Sequence, residues 1–311
     1  MRIGLVTDST TDLPDDFLGS RQIHVLPSVI LDHQTPMEVG RDAATTLAFH
    51  QGQLVWRGPS LTTRPAGVDE IELFFLEQLA LDYDLVFLVT QSGSRSTLAA
   101  NAREAAQRIR RDSASIRAAR HIESPFELEV IDSNTLFTGP GVLCWQIADL
   151  IRRGSSPAQI REALSQSLPQ IEVLAVVRDV WYIRRRGRAR GEHSVNLASA
   201  LLARAFGLCP LFRMRGGENA IIGRHRGFPG AAEELLRKVL NQIGQGLALP
   251  CIAVSYSGDL GELDQLGAYR ELRSQAAAGI ELLCSMMSPA GAVWTGPGAL
   301  TIAFCPMSGN G

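Results

Sequence analysis

Lysine is almost missing from this 311-residue chain: Lys238 is the only one, and arginine carries the rest of the positive charge. With 30 basic and 32 acidic residues the formal net charge is -2. That gives no overall reason to expect nucleic acid or an anionic membrane, so any basic function has to be local. The five cysteines, at 144, 209, 251, 284 and 305, are odd in number and far apart. Neither a disulfide framework nor a CxxC metal site follows, and they read as buried, reduced packing residues. The six histidines are scattered and form no HExxH pair, so no metal is expected. A G-x-x-x-x-G-K-[ST] loop and a G-x-S-x-G elbow are both missing, which argues against a P-loop kinase and a serine hydrolase. No apolar run approaches the ~20 residues a membrane span needs, and no charged leader with an apolar signal core precedes the first strand-like segment. The expected location is the cytoplasm.

What is present suits a globular protein large enough for two cores, with 45% hydrophobic and 20% charged residues. Strand-like runs at 3–7, 23–31, 85–90 and 128–131 alternate with helical patterns, which predicts a largely parallel sheet covered by helices, with its site on the loops at the strand ends. After Thr63, Pro65 suits a first helical turn, and Val68, Ile71, Phe75 and Leu79 recur at helical spacing, so Thr63 or Arg64 is expected at a helix N-terminus. Ser156 and Gln159 have capping-box spacing. A second α/β unit follows: strands at 171–177, 251–255, 280–285 and 299–304, with helices near 195–206, 231–243 and 262–278. Neither repeats nor low-complexity tracts occur. Periodicity alone reaches two α/β units.

The motifs go further. Residues 3–14, IGLVTDSTTDLP, and 291–304, GAVWTGPGALTIAF, match the two ends of one pattern, and residues 130–141, VIDSNTLFTGPG, match its interior almost letter for letter. Thr62-Thr63-Arg64-Pro65 stands in place of a Thr-Ser-Gln-Pro loop. Residues 91–102, QSGSRSTLAANA, and 180–191, VWYIRRRGRARG, occupy two further matching places less closely. Together they resemble the DegV-like fatty-acid-binding family, in a proteobacterial-type variant. The resemblance implies an α/β fold with two domains: an N-terminal three-layer αβα domain with a largely parallel sheet over 1–165, and a C-terminal α/β domain over 166–311. The acyl chain would lie between or beneath them. It also implies that the protein binds a long-chain fatty acid and either presents it to a partner, in relatives a separate kinase that makes acyl phosphate, or acts as a carrier, without catalysis or a cofactor of its own. The alternative is an enzyme, either a phosphotransferase subunit related to dihydroxyacetone kinase or a lipid hydrolase. An arginine-mediated nucleic-acid binder lacks the overall basicity.

A carboxylate at the mouth of an apolar tunnel needs donors, because a buried unpaired ion is costly. Thr62 and Thr63 are the first candidates by their place in the resemblance; Thr63 could equally cap its own helix. Ser92, Ser94, Ser96 and Thr97 form a donor-rich turn that suits an anion or an ordinary helix entry. Arg95 replaces a serine of the common family form and could grip the carboxylate bidentately, or pair with Asp8 or Asp132. Asp8-Ser9 and Asp132-Ser133 end their strands alike and are given supporting roles on one rim; turn formation is the alternative. Arg188 belongs to the basic cluster 184–190, which reads as a solvated face or as lining for the domain interface or a partner's acidic surface. Trp294 stands in the register of the family's histidine. Indole can cap a pocket or donate one hydrogen bond but cannot act as a base, so phosphorylation by a typical partner kinase is expected to be poor.

Overall fold

The computed structural model describes residues 1–37, 39–52, 61–189, 206–276 and 279–307, with 187–189 described by backbone alone. Strands β1 (Ile3–Asp8), β2 (Ile23–Leu26), β6 (Leu85–Thr90) and β7 (Glu127–Asp132) form a four-stranded parallel sheet in the order β2-β1-β6-β7. All six residues of β6 are buried, as expected for a parallel strand covered on both faces. Val6, Val86 and Leu88 pack against helices α3 (Val68–Gln78) and α4 (Leu98–Ala118). The alternate residues Leu5, Phe87 and Val89 pack against α5 (Gly139–Arg152). Helices α1 (Asp15–Ser20) and α6 (Pro157–Ser167) lie on that second face, giving the αβα layering. Ser156 and Gln159 do form a capping box at the start of α6.

The C-terminal sheet has six strands: β8 (Glu172–Val176), β9 (Leu208–Arg215), β10 (Glu218–Arg226), β11 (Leu247–Tyr256), β12 (Glu281–Met286) and β13 (Leu300–Pro306). Their order is β10-β9-β8-β13-β11-β12, antiparallel except for β11 with β12. Leu174, Val254 and Ile302 face α8 (Phe228–Gln245) and α9 (Gly267–Ala276). Val173, Ala253 and Ala303 face α5 from the side opposite the parallel sheet, so one core runs through α5 into both sheets. Helix α5 is buried from Gly139 to Asp149. Gly139 permits its close approach, because a Cβ there would lie 2.2 Å from Thr135 Oγ1 and 2.8 Å from Val173 Cγ2.

Three sequence expectations need correction. The run 23–31 is two strands in different sheets, because Pro27 brings no amide to a ladder and the Ser28 amide donates to Ser9 Oγ at 2.8 Å. The second piece, β3 (Val29–Asp32), joins β4 (Thr35–Met37) and β5 (Leu61–Arg64) in a small antiparallel sheet. Thr63 therefore lies in a strand opposite Ile30 and does not start a helix. The residue before Pro65 disfavours the helical region, and α3 begins only after Gly67, whose amide donates to Glu70 at 2.6 Å. The 262–278 helix is a 3-10 segment Leu260–Gln265 followed by α9; Glu233 of α8 receives the amides of Gly267 and Ala268 at the break. The expected helix over 195–206 lies outside the described residues except for its last position. Two further helices complete the described chain, α7 (Val180–Ala189) and α10 (Pro289–Thr295), apart from α2 (Ala43–Gln51) beside the small sheet. No described helix is long and apolar enough to cross a membrane.

Candidate functional site

A cavity of about 490 Å³ opens at the carboxyl ends of β1 and β6, the usual place for a ligand in a parallel sheet and within the ~300–1,000 Å³ of small-molecule sites. Its N-terminal wall brings the polar Thr10, Ser28, Thr63, Gln91, Arg95, Ser96 and Thr97 together with the apolar Pro65, Leu136 and Phe137. The C-terminal wall is mainly apolar, with Ala175, Val177, Phe212, Met214, Ala220, Ile221, Ala290 and Gly291. Arg184 and Arg186 of α7, Trp294 of α10 and Asn219 of β10 close it.

Asp8 and Asp132 hold the rim from behind. Asp8 accepts from the Gln91 amide at 2.9 Å, from the Thr10 amide at 2.8 Å and from the Thr10 hydroxyl. Burial raises its pKa, and these donors and Arg41 oppose the shift. Asp132 accepts from the Gly93 and Asn134 amides, both at 3.0 Å. A Cβ on Gly93 would lie 2.5 Å from that carboxylate, so glycine is what lets the loop sit on it. Ser9 receives the Ser28 amide and Ser133 the Thr135 amide. All four residues thus accept backbone amides, within their own turns for Asp8, Asp132 and Ser133 and from distant rim segments for Asp8, Ser9 and Asp132.

The loop above them divides. Ser92 is buried and shares a 2.9 Å hydrogen bond with Ser94, and neither lines the cavity. Ser96 and Thr97 do line it, and Thr97 stands at the N-cap of α4 without spending its hydroxyl on the cap. Arg95 reaches across to the β9–β10 hairpin: with the Asn219 amide turned so that its oxygen faces the guanidinium, that oxygen accepts at 2.8 Å. Thr62 and Thr63 are successive strand residues and project to opposite faces. Only Thr63 lines the cavity.

Trp294 Nε1 donates to Thr63 Oγ1 at 2.9 Å, which leaves the threonine's own proton available to a ligand. Arg186 stands over the indole at 5.7 Å, donates to Leu61 O, and reaches the Tyr182 hydroxyl at 3.2 Å. Tyr182 in turn donates to Val293 O at 2.8 Å, and burial pushes its pKa up. Strand β5, α7 and α10 are thereby tied together around the Thr63–Trp294 pair. Arg188 lies in α7, and its side chain is outside the described residues.

Sequence reasoning missed Thr10, Ser28, Gln91, Asn219, Arg184 and Arg186. Thr10 and Gln91 sat inside matched segments, whereas Ser28 and Asn219 carried no signal. The two arginines were read only as part of a basic cluster. Their spacing from aromatic residues, Trp181 to Arg184 and Tyr182 to Arg186, could have marked them as stacked on one helix. His50 and Ser257 meet at 3.2 Å, but both are buried and neither lines the cavity. His50 Nε2 faces Met287 O, and burial lowers its pKa. Among the described residues no group of three His, Cys, Asp or Glu could hold a metal ion.

The chain is similar to a DegV domain-containing protein of Xanthomonas axonopodis pv. citri, 38% identical over 305 residues, covering 98% of this chain and 97% of that protein. A solved fatty acid (stearic acid)-binding protein of Eubacterium ventriosum shares the fold with a TM-score of 0.77 at 19% identity, covering 97% and 98% of the two chains. The fatty-acid-binding DegV of Bacillus subtilis does so with a TM-score of 0.75 at 20% identity, covering 98% and 99%. The sequence model of the family described as "Uncharacterised protein, DegV family" matches residues 2–307. A match over nearly the whole length, joined to that identity, makes this chain a member of the DegV family.

Proposed function

We propose that the protein binds a long-chain fatty acid, with the carboxylate among Thr63, Ser96, Thr97 and Arg95 and the acyl chain along the apolar wall. The observation that carries this reading is one cavity in which hydroxyl and guanidinium donors of the N-terminal loops face a largely apolar run from β8, β9 and β10, with no carboxylate side chain lining it among the described residues. Hydroxyl and guanidinium donors meet the charge, and the indole holds Thr63 in place. Burying about fifteen methylenes contributes roughly 12 kcal/mol gross at ~0.8 kcal/mol each, before several kcal/mol of association and ordering cost. The chain supplies most of the affinity and the head group fixes its direction. The fatty-acid-binding descriptions of the Eubacterium and Bacillus structures support the same reading. On it the protein is a carrier without a catalytic step, and phosphorylation of the carboxylate would belong to a separate kinase, as the resemblance implies. The division into units at 165/166 is part of this reading, with the ligand between or beneath them.

Mass spectrometry of the organic extract of natively purified protein tests it. We expect roughly one C14–C18 fatty acid per chain, and a lower melting temperature after delipidation, because a ligand bound only by the folded state stabilises it. Clean protein that also fails to bind added palmitate or oleate would exclude a fatty-acid carrier.

A further inference from the structure

A second pocket, of about 220 Å³, lies at the carboxyl end of β12 and shares no residue with the cavity described above. The loop after β1 supplies Asp12 and Asp15 to it, the segment before α2 supplies Arg41, and β12 supplies Ser285. Ser285 is paired in register with Ser255, and paired residues of neighbouring strands project to the same face of a sheet. It therefore points to the side on which Ser255 donates to Asp12. Unlike Ser255, its Oγ is buried without a hydrogen-bond partner among the described residues, in a residue only 7% exposed. A buried hydroxyl left unpaired costs ~1–3 kcal/mol, so this one marks a place for a polar group inside the pocket. The charges say which kind. Burial of Asp12 outweighs its donors, Ser255, the Ser288 amide and Arg41, and holds its pKa up at about 6. The Arg41 guanidinium donates to two backbone carbonyls, Ser9 O at 2.9 Å and Thr11 O at 3.4 Å, and its charge is shared between Asp12 and the equally buried Asp8. Asp15 is exposed and forms no ion pair among the described residues. Two lining carboxylates against one shared guanidinium leave the pocket short of positive charge.

We propose that this pocket binds a small primary ammonium compound, whose charged group donates to Ser285 Oγ and the Asp12 carboxylate with Asp15 at the mouth. A primary ammonium carries three donors and no acceptor, which matches one orphaned hydroxyl and two carboxylates. A short alkyl part fits the remaining wall, where Leu13, Leu260, Met286 and Pro289 are apolar. An anion of the same size would meet Asp12 as a like charge at close range, and a neutral alcohol would leave the charge deficit in place. The site stands apart from the lipid-binding reading, and neither depends on the other.

The test is titration of the full chain with n-butylammonium, n-butanol and butyrate, followed through its backbone amide NMR signals. At about pH 8 the probe amine is still protonated, and Asp12, with its pKa of about 6, is ionised. Butylammonium is expected to bind about tenfold or more tightly than either other probe, the scale of one charge-assisted hydrogen bond, and to move the amide signals of Asp12 and Ser285. Ser285→Ala should weaken it about tenfold, and Asp12→Asn should abolish the preference over butanol. Equal affinities for the three probes, tightest binding of butyrate, or an ammonium affinity unchanged in Ser285→Ala overturns the proposal. Signals at Asp12 and Ser285 that stay still also overturn it, and would leave water as the partner of Ser285. If neither variant folds, the order of the three probes on the wild-type chain, with the position of the moving signals, decides alone.

Discussion

Thr63 shows how much one residue's surroundings add to its chemistry. A threonine in a small antiparallel sheet is ordinary, but this one accepts from Trp294 Nε1 and faces a cavity, so its hydroxyl proton is directed away from the indole. Thr63→Val should remove a carboxylate donor and leave the indole without its acceptor. We expect palmitate binding to weaken by ~1–3 kcal/mol, the cost of leaving a buried charged acceptor short of a donor. Hexadecanol is the control. If its binding weakens equally, Thr63 contributes packing and no head-group contact.

Helix starts are where local chemistry and distant contacts compete. The amide of Gly67 is satisfied by Glu70, which also receives both terminal nitrogens of Arg64 at 2.7 and 2.8 Å. The Arg64 hydrogen bond is the main reason the Glu70 pKa falls to about 2. A lowered carboxylate pKa contributes stability above its unfolded value, and loses it as pH falls through the folded one. Glu70→Ala should therefore cost ~0.5–1 kcal/mol near neutral pH, on the scale of a lost cap and an exposed ion pair. The cost should disappear at about pH 2, where Glu70 protonates. Urea midpoints at the two pH values measure it, and a cost that persists in acid would show that packing, not the charge, matters at that position. Helix α9 differs, since its first amides are received by Glu233, 34 residues earlier in the chain.

Across the whole molecule, Asp12 joins the N-terminal layers to the C-terminal sheet. Its carboxylate accepts from Ser255 Oγ at 2.6 Å and from the Ser288 amide at 2.8 Å, and the hydrogen-bond chain continues from Ser255 to Thr301. Burial raises its pKa to about 6, against the lowering effect of these donors and Arg41. For an acid with a raised folded pKa, the favourable contribution is complete below the unfolded value of about 3.8 and is lost as pH rises through about 6. Asp12→Asn should thus gain stability relative to wild type between about pH 4 and pH 7, by up to ~3 kcal/mol. Thermal or urea unfolding across that range reads the difference. Parallel curves for the two proteins would mean that Asp12 stays ionised throughout.

Some of this was legible in the residues because it depends on short-range order. The apolar run of β6 announces a strand buried on both faces, and Ser156 with Gln159 announces a helix start, since each is decided within a few residues. The motif order carried the family, and with it the α/β fold. Other features depend on pairings between distant segments. Thr63 fell into a strand because Ile30 was there to pair with it, and Arg95 met Asn219 because a hairpin more than a hundred residues later folds back over the rim. Arg184 and Arg186 belong to a basic cluster that reads equally as a solvated face or as interface lining, and only the placement of α7 turns these two inward. Helix α5 belongs to the core of both sheets, which blurs any boundary drawn along the chain. Sequence spacing sets which local conformation is favourable, but burial decides which face of it meets water, and burial is a property of the assembled tertiary structure.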